Sequence, residues 1–293
     1  MLFPIKIGIA LVNALRGSSS KKSGKFVYEL RTRLQNDFNK AIDKSYNVKH
    51  SSSASNAQLV YVDIGARDGL LDIVQNNKQY FGKIILCEGE PEEAKKLSKQ
   101  GYLVIDKFLA DKKGDAKFYY IKEHAGASSL KKPGTPFLHL FSEKHFDLYS
   151  KYTEENIVTS TLDAELERLE VKNIDFIKLD VQGSELAIIK GLTTVTPLFW
   201  EVEILPLPTY EDTPYGADIN SELLRRGYIS LRQRDRMCRD GVYIYSNEIF
   251  MPDYTTEFGK NLILKNLDNW RLMMQLFDVN ALAAHIETQL KKK

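Results

Sequence analysis

Cysteine is scarce in this chain: Cys87 and Cys238 are the only two, and they lie far apart in sequence. A disulfide framework is therefore excluded as a fold device, a cysteine metal cluster has no support, and a reducing compartment is the default. The five histidines, His50, His124, His139, His145 and His285, show no metal-ligand spacing. Net charge is only +2, so the total implies no polyanionic partner. Aromatic residues are not interleaved with basic ones in any nucleic-acid motif. There is no apolar run long enough for a membrane span, since residues 1–15 include Pro4, Lys6 and Asn13. Neither the charged start nor the small-residue cleavage site of a signal peptide is clear there. An interfacial helix over residues 1–16 and a helix packed on the domain both remain open, with a cytoplasmic setting as the default.

What is present is enough for a sizeable core, with 43% hydrophobic and 27% charged residues in 293. The densest signal is Val62-Asp63-Ile64-Gly65-Ala66-Arg67-Asp68-Gly69. The run before it, Leu59-Val60-Tyr61-Val62, is apolar and β-rich, as in a strand buried on both faces. Gly65 breaks it and Gly69 follows, which lets the backbone turn tightly beside a ligand. A G-x-G-x-x-G loop is absent, because Arg67 and Leu70 stand where glycines would be needed. Asp63 at the strand end repels phosphate and favours a cation. The next strand candidate, Ile84-Ile85-Leu86-Cys87, ends at Glu88, and an acid there suits a ribose diol. S-adenosylmethionine fits this pattern, with a ribose, an ammonium, a sulfonium and no phosphate. A Rossmann dehydrogenase is disfavoured.

Alternation of strand and helix runs on from there. Strands are predicted at about 59–64, 84–88 and 102–108, with helices near 70–80 and 91–99. A short added strand covers 116–122, and 123–160 reads as a long irregular insert. Thr161 is a predicted N-cap for a helix over 162–169. Strand 174–180, helix 183–191, strand 198–204, helix 217–226 and strands 228–232 and 241–246 follow. The last two are close enough to pair antiparallel. Residues 262–290 read as one or two terminal helices. Upstream, Phe26, Leu30, Leu34, Phe38 and Ile42 fall four apart, one face of an amphipathic helix. Residues 17–24 and 45–56 read as links. The domain boundaries expected are 1–56 for an N-terminal helical extension, 57–250 for the main domain and 251–293 for a C-terminal helical extension.

Asp175-Phe176-Ile177-Lys178-Leu179-Asp180-Val181-Gln182-Gly183-Ser184-Glu185 is a second dense segment. Together with residues 62–69, Glu88-Gly89-Glu90-Pro91, Ala110-Asp111, Gly126-Ala127-Ser128-Ser129-Leu130 and Thr161-Leu162-Asp163, it resembles the FkbM family of S-adenosylmethionine-dependent methyltransferases over about residues 59–246. The resemblance implies an α/β class I methyltransferase (Rossmann-like) fold. That means a mostly parallel seven-stranded sheet with helices on both faces and a final antiparallel hairpin. It also implies a sugar, glycan, lipid-linked sugar or natural-product acceptor. One residue departs from the family's run, which usually has Glu where this chain has Gln182.

Chemistry belongs at the carboxyl ends of the parallel strands. Asp180 is the first candidate for accepting or orienting the acceptor proton, with helix capping as its bland alternative. Glu185 is the second, equally readable as a first-turn structural acid. Asp63, Gly65, Gly69 and Glu88 are candidates for holding the cofactor. Asp111 joins them because class I methyltransferases often contact adenine after the third strand, and Ser128, with Ser129, as a contact or closing element. Glu203 lies nearer its strand's carboxyl end than Glu201. Arg232, Arg234, Arg236 and Arg239 read as a solvated hairpin or an anion grip, and His124, His139 or His145 as a fallback base. The reaction class expected is O-methyl transfer; N-methyl transfer and a silent cofactor-binding scaffold are the alternatives.

Overall fold

The computed structural model describes residues 58–291 apart from 68, 135, 141, 142 and 240. The expectations for residues 1–56 and for Asp68 fall outside the described residues. The chain divides into two compact units, one of residues 53–277 and one that includes 278–291.

The first unit is built on a seven-stranded sheet. Its strands are β1 (Leu59–Ile64), β2 (Phe81–Cys87), β3 (Leu103–Ile105), β7 (Phe176–Leu179), β8 (Phe199–Ile204), β9 (Tyr228–Arg239) and β10 (Val242–Pro252). Their order is β3-β2-β1-β7-β8-β10-β9. The first five run parallel, while β10 is antiparallel to both β8 and β9. This is the sheet, final hairpin included, that the sequence motifs imply. β1 and β7 occupy its middle, which is why both read as near-continuous apolar runs.

Side chains alternate between the two faces. Val62, Ile64, Ile177, Leu179, Trp200 and Val202 pack with α4 (Leu162–Arg168), α5 (Glu185–Gly191) and α6 (Gly216–Arg225) through Leu166, Ile188 and Leu223. On the other face, Leu86 packs with Leu97 of α2 (Pro91–Lys99). There Phe277, just after α8 (Leu267–Leu276), meets Phe176 and Phe199 edge-on at 5.4 and 5.3 Å. Thr161 caps α4 as its sequence predicts, accepting from the Ala164 amide at 3.2 Å.

Several elements differ from the sequence reading. The helix expected over 70–80 shrinks to α1 (Asp72–Gln75) and a 3-10 turn, Lys78–Tyr80. Phe108–Leu109 (β4) leaves the main sheet and joins a second sheet of order β4-β6-β5, with β5 at Gly114–Tyr120 and β6 at Thr153–Ser160. The insert is therefore not irregular throughout; it also holds α3 (Glu143–Tyr149) and ends in an eight-residue strand. β6 escaped notice because its first half, Thr-Glu-Glu-Asn, is exposed on both faces and carries no apolar alternation. The final hairpin runs far longer than 228–232 and 241–246, and Cys238 lies on β9 rather than in a loop. Three terminal helices replace the expected one or two: α7 (Glu257–Lys265), α8, and α9 (Asn280–Leu290) in the other unit. Asn266, and then Asp278 at φ 56°, break the run. Among the described residues no helix is long and apolar enough to cross a membrane.

Candidate functional site

A cavity opens where β1, β2 and β7 end. Three backbone hydrogen bonds tie those ends to one another and to the end of β3. Gly65 N donates to Cys87 O at 3.0 Å, Asp180 N to Ile64 O at 3.0 Å, and Glu88 N to Ile105 O at 3.0 Å. Gly65 has φ +85°, and a Cβ there would lie 1.9 Å from the Asp180 carbonyl oxygen. Glycine is thus required twice over, by conformation and by contact.

Gly65, Glu88, Ser128 and Asp180 all reach the cavity wall, with Ser129 and Gln182 beside them. Glu88 Oε1 accepts from the Glu90 amide at 2.9 Å, and burial pushes the Glu88 carboxyl above its ordinary value. Phe108 and Phe118 line another side, their rings 4.6 Å apart between centroids. Arg67 also lines the cavity, but Glu90 and Glu93 engage its guanidinium. Ser128 Oγ accepts from Ile121 N at 3.0 Å, so it braces its own segment. Ser129 Oγ donates to Gln182 O at 2.6 Å, which staples that segment to the turn after β7.

Four expected residues are not on the wall. Asp63 is fully buried beneath it, accepting from Tyr61 OH at 2.7 Å and from Lys178 Nζ at 3.3 Å. Gly69, at φ +89°, turns the chain beyond the cavity lining. Asp111 sits at the far end of α5, where its Cα would lie 2.8 Å from a Cβ on Gly191. The chain has crossed into the second sheet by then, so Lys107, Phe108 and Leu109 line the cavity instead. Glu185 is buried and folds back on its own turn, accepting from Val181 N at 2.9 Å and Gly183 N at 3.0 Å. It holds the turn and does not face the cavity. Burial pushes its carboxyl up to about 7 despite those amides.

Lys178 escaped the sequence reading, although a lysine inside an apolar strand was its own signal. It is in register with Asp63 on one side and Glu201 on the other. Its ammonium lies 3.3 Å from Asp63 Oδ1 and 3.3 Å from Asp180 Oδ2. Burial opposes its charge, yet the two carboxylates hold its pKa above the ordinary lysine value. Glu201 pairs with Arg234 at 3.3 Å, and burial pushes its carboxyl up to about 7. Asp180 does not cap α5, whose N-cap is Ser184. Instead it accepts from Gln182 Nε2 at 2.9 Å, and the same nitrogen donates to Glu203 Oε2 at 3.0 Å.

The arginines are strand residues, not loop residues. Arg232 donates to Phe277 O at 2.8 Å, Arg234 pairs with Glu201 and Asp235, and Arg236 lies over the Tyr243 ring. His139 stacks on Phe146 and His124 meets Tyr149 edge-on, while the His145 side chain is outside the described residues. Among the described residues no group of His, Cys, Asp and Glu could hold a metal ion.

Residues 63–230, more than half of the chain, match the Methyltransferase FkbM domain family. No curated protein matches the chain. Similar solved structures include magnesium protoporphyrin IX methyltransferase (ChlM) from Synechocystis PCC 6803 with bound SAM, at 10% identity and TM-score 0.36 over 84% of this chain and 91% of that one. TrmK of M. capricolum with S-adenosyl-homocysteine is 12% identical, with TM-score 0.33 over 86% and 94%. The 1,6-didemethyltoxoflavin-N1-methyltransferase of Burkholderia thailandensis is 12% identical, with TM-score 0.29 over 77% and 89%.

Proposed function

The chain belongs to the FkbM methyltransferase family, and from that premise we propose that it transfers a methyl group from S-adenosylmethionine to a hydroxyl oxygen of a sugar, glycan, lipid-linked sugar or natural-product acceptor. The observation that carries this reading is the Asp180 carboxylate on the cavity wall, set between Lys178 and Gln182. The wall's chemistry suits the cofactor. Glu88 offers a carboxylate to a ribose diol, and Phe108 and Phe118 offer ring faces to a base. The arginine on the wall is already engaged by two acids, which disfavours a phosphate-bearing ligand.

S-adenosylmethionine, when bound, supplies a methyl group on a cationic sulfur. The protein's part is to orient the acceptor and receive its proton. Asp180 accepts that proton as the oxygen becomes a nucleophile. Lys178 orients Asp180 from below and balances the buried charge of Asp63. Asp63 therefore acts through Lys178, and Glu185 through the backbone of the 181–183 turn.

The test is a labelled-methyl assay against glycan and lipid-linked acceptors, with Asp180→Asn in parallel. Base removal typically lowers turnover about 10²–10⁴-fold while the protein stays folded. Label on nitrogen would overturn the oxygen assignment. Near-normal turnover by a folded Asp180→Asn protein would remove Asp180 from the chemistry.

A further inference from the structure

Gln182 stands where the family's run usually has Glu, and four hydrogen bonds meet on it. Its Nε2 donates to Asp180 Oδ1 at 2.9 Å and to Glu203 Oε2 at 3.0 Å. Its Oε1 accepts from Tyr210 OH at 2.9 Å, and its backbone oxygen accepts from Ser129 Oγ at 2.6 Å. Its φ is 57°, left-handed and unfavourable for a residue with a Cβ. Such a conformation persists only where the surroundings over-determine it, and they are often functional.

The amide has two hydrogens and spends one on each carboxylate. Two carboxylates this close cannot both ionise freely without a donor or a proton between them. A glutamine supplies the donors permanently, whatever the pH. We propose that Gln182 is a positioning residue whose amide holds Asp180 and Glu203 at one fixed spacing whether or not the pair carries a proton. This rests on the assignment of Asp180 to the methyl-transfer centre. The same side chain reaches Tyr210, whose hydroxyl also lies 2.9 Å from Ala127 O in the insert and shares its one proton between the two acceptors, while Ser129 ties the cavity wall to the same turn.

The groups facing the pair come from every element around it. They are Lys178 on β7, Asp63 on β1, Glu185 on α5, Tyr149 on α3, Tyr210 in the loop after β8, and Tyr245 on β10. Burial, then Asp180 and Glu185, push Glu203 well above the ordinary carboxyl value, so Glu203 loses its proton only as pH rises. Losing the bridging donors should therefore cost little in acid and more in base.

Melting curves of the full chain at about pH 5, 7 and 9 test this without methyl donor or acceptor, so failure here is separate from failure of the methyltransferase reading. Q182M keeps the length but removes both donors, and Q182E adds a third carboxylate. The melting temperature of each should fall short of wild type by an amount that widens by roughly 3 °C or more from the lowest to the highest pH. Q182E should show the larger change. Should Q182E fail to fold at neutral pH, Q182N gives the comparison, since asparagine tolerates left-handed backbone but is too short to bridge. Deficits that stay constant across pH would mean that Gln182 only fills space and fixes the turn, and the proposal would fall.

Discussion

Glu88 and Lys178 are both charged and both near strand ends, but their surroundings give them opposite tasks. Lys178 is buried with two carboxylates at 3.3 Å, so its charge is consumed inside the protein. Glu88 lies on the cavity wall with one oxygen on the Glu90 amide, which leaves the carboxylate room for a further donor. A charge-assisted hydrogen bond contributes about 1.5–3 kcal/mol. Glu88→Ala should thus weaken S-adenosylmethionine binding about tenfold or more while the melting temperature stays near wild type. Calorimetry giving equal affinity for both proteins would take Glu88 out of the cofactor site.

At the scale of elements, the site depends on how three parallel strands finish. The ends of β1 and β7 touch through Gly65, which leaves no space for a side chain. Gly65→Ala places a Cβ against the Asp180 carbonyl and fixes a left-handed residue, a combined cost of about 2 kcal/mol or more. Both the melting temperature and affinity for S-adenosylhomocysteine should drop. A variant as stable and as tight-binding as wild type would show that the β1–β7 corner is not what sets the site. The β9–β10 ribbon is different in kind. β8 pairs with β10 only over Ser246–Phe250, so Val242–Tyr245 and the β9 residues paired with them overhang the carboxyl end of β8. Its exposed faces explain why Arg, Gln and Asp occupy strand positions there.

Across the whole molecule, burial raises several carboxyls together. Glu185 and Glu201 reach about 7, and Glu88 and Glu203 are raised as well. A group whose folded pKa exceeds its unfolded value of 4.5 favours folding fully below that value. That contribution is lost as pH climbs to the folded value. Two acids act in the opposite sense. Burial opposes the charge of Asp163, but hydrogen bonds from Thr194 and Thr193 hold its pKa below the ordinary value, and Arg226, with Arg225, does the same for Glu222. Their contribution is lost as pH falls below about 4. The melting temperature should therefore peak in mild acid, at about pH 5, and fall by several degrees by about pH 8. A flat or rising curve over that interval would mean the buried acids are not charged on the alkaline side, or not buried in solution.

The sequence alone determined the parallel sheet, the corner at Gly65, and the acids Glu88 and Asp180 at strand ends. These follow from local pattern: apolar runs, a glycine at the break, and an acid one step past the strand. The cap at Thr161 was legible for the same reason. What the tertiary structure decided was which acids face the cavity and which face each other. Asp63 and Asp180 look alike in sequence, but register puts Lys178 beside Asp63 and buries both, leaving Asp180 on the wall. Phe108 lines the cavity and Asp111 does not, because the chain changes sheets after β3, a step no local pattern marks. Gln182 read as a lost acid, and only the approach of Asp180, Glu203 and Tyr210 from separate elements gives its amide a use. Pairing across strands and loops is set by register and packing, and the period of a single segment carries no information about either.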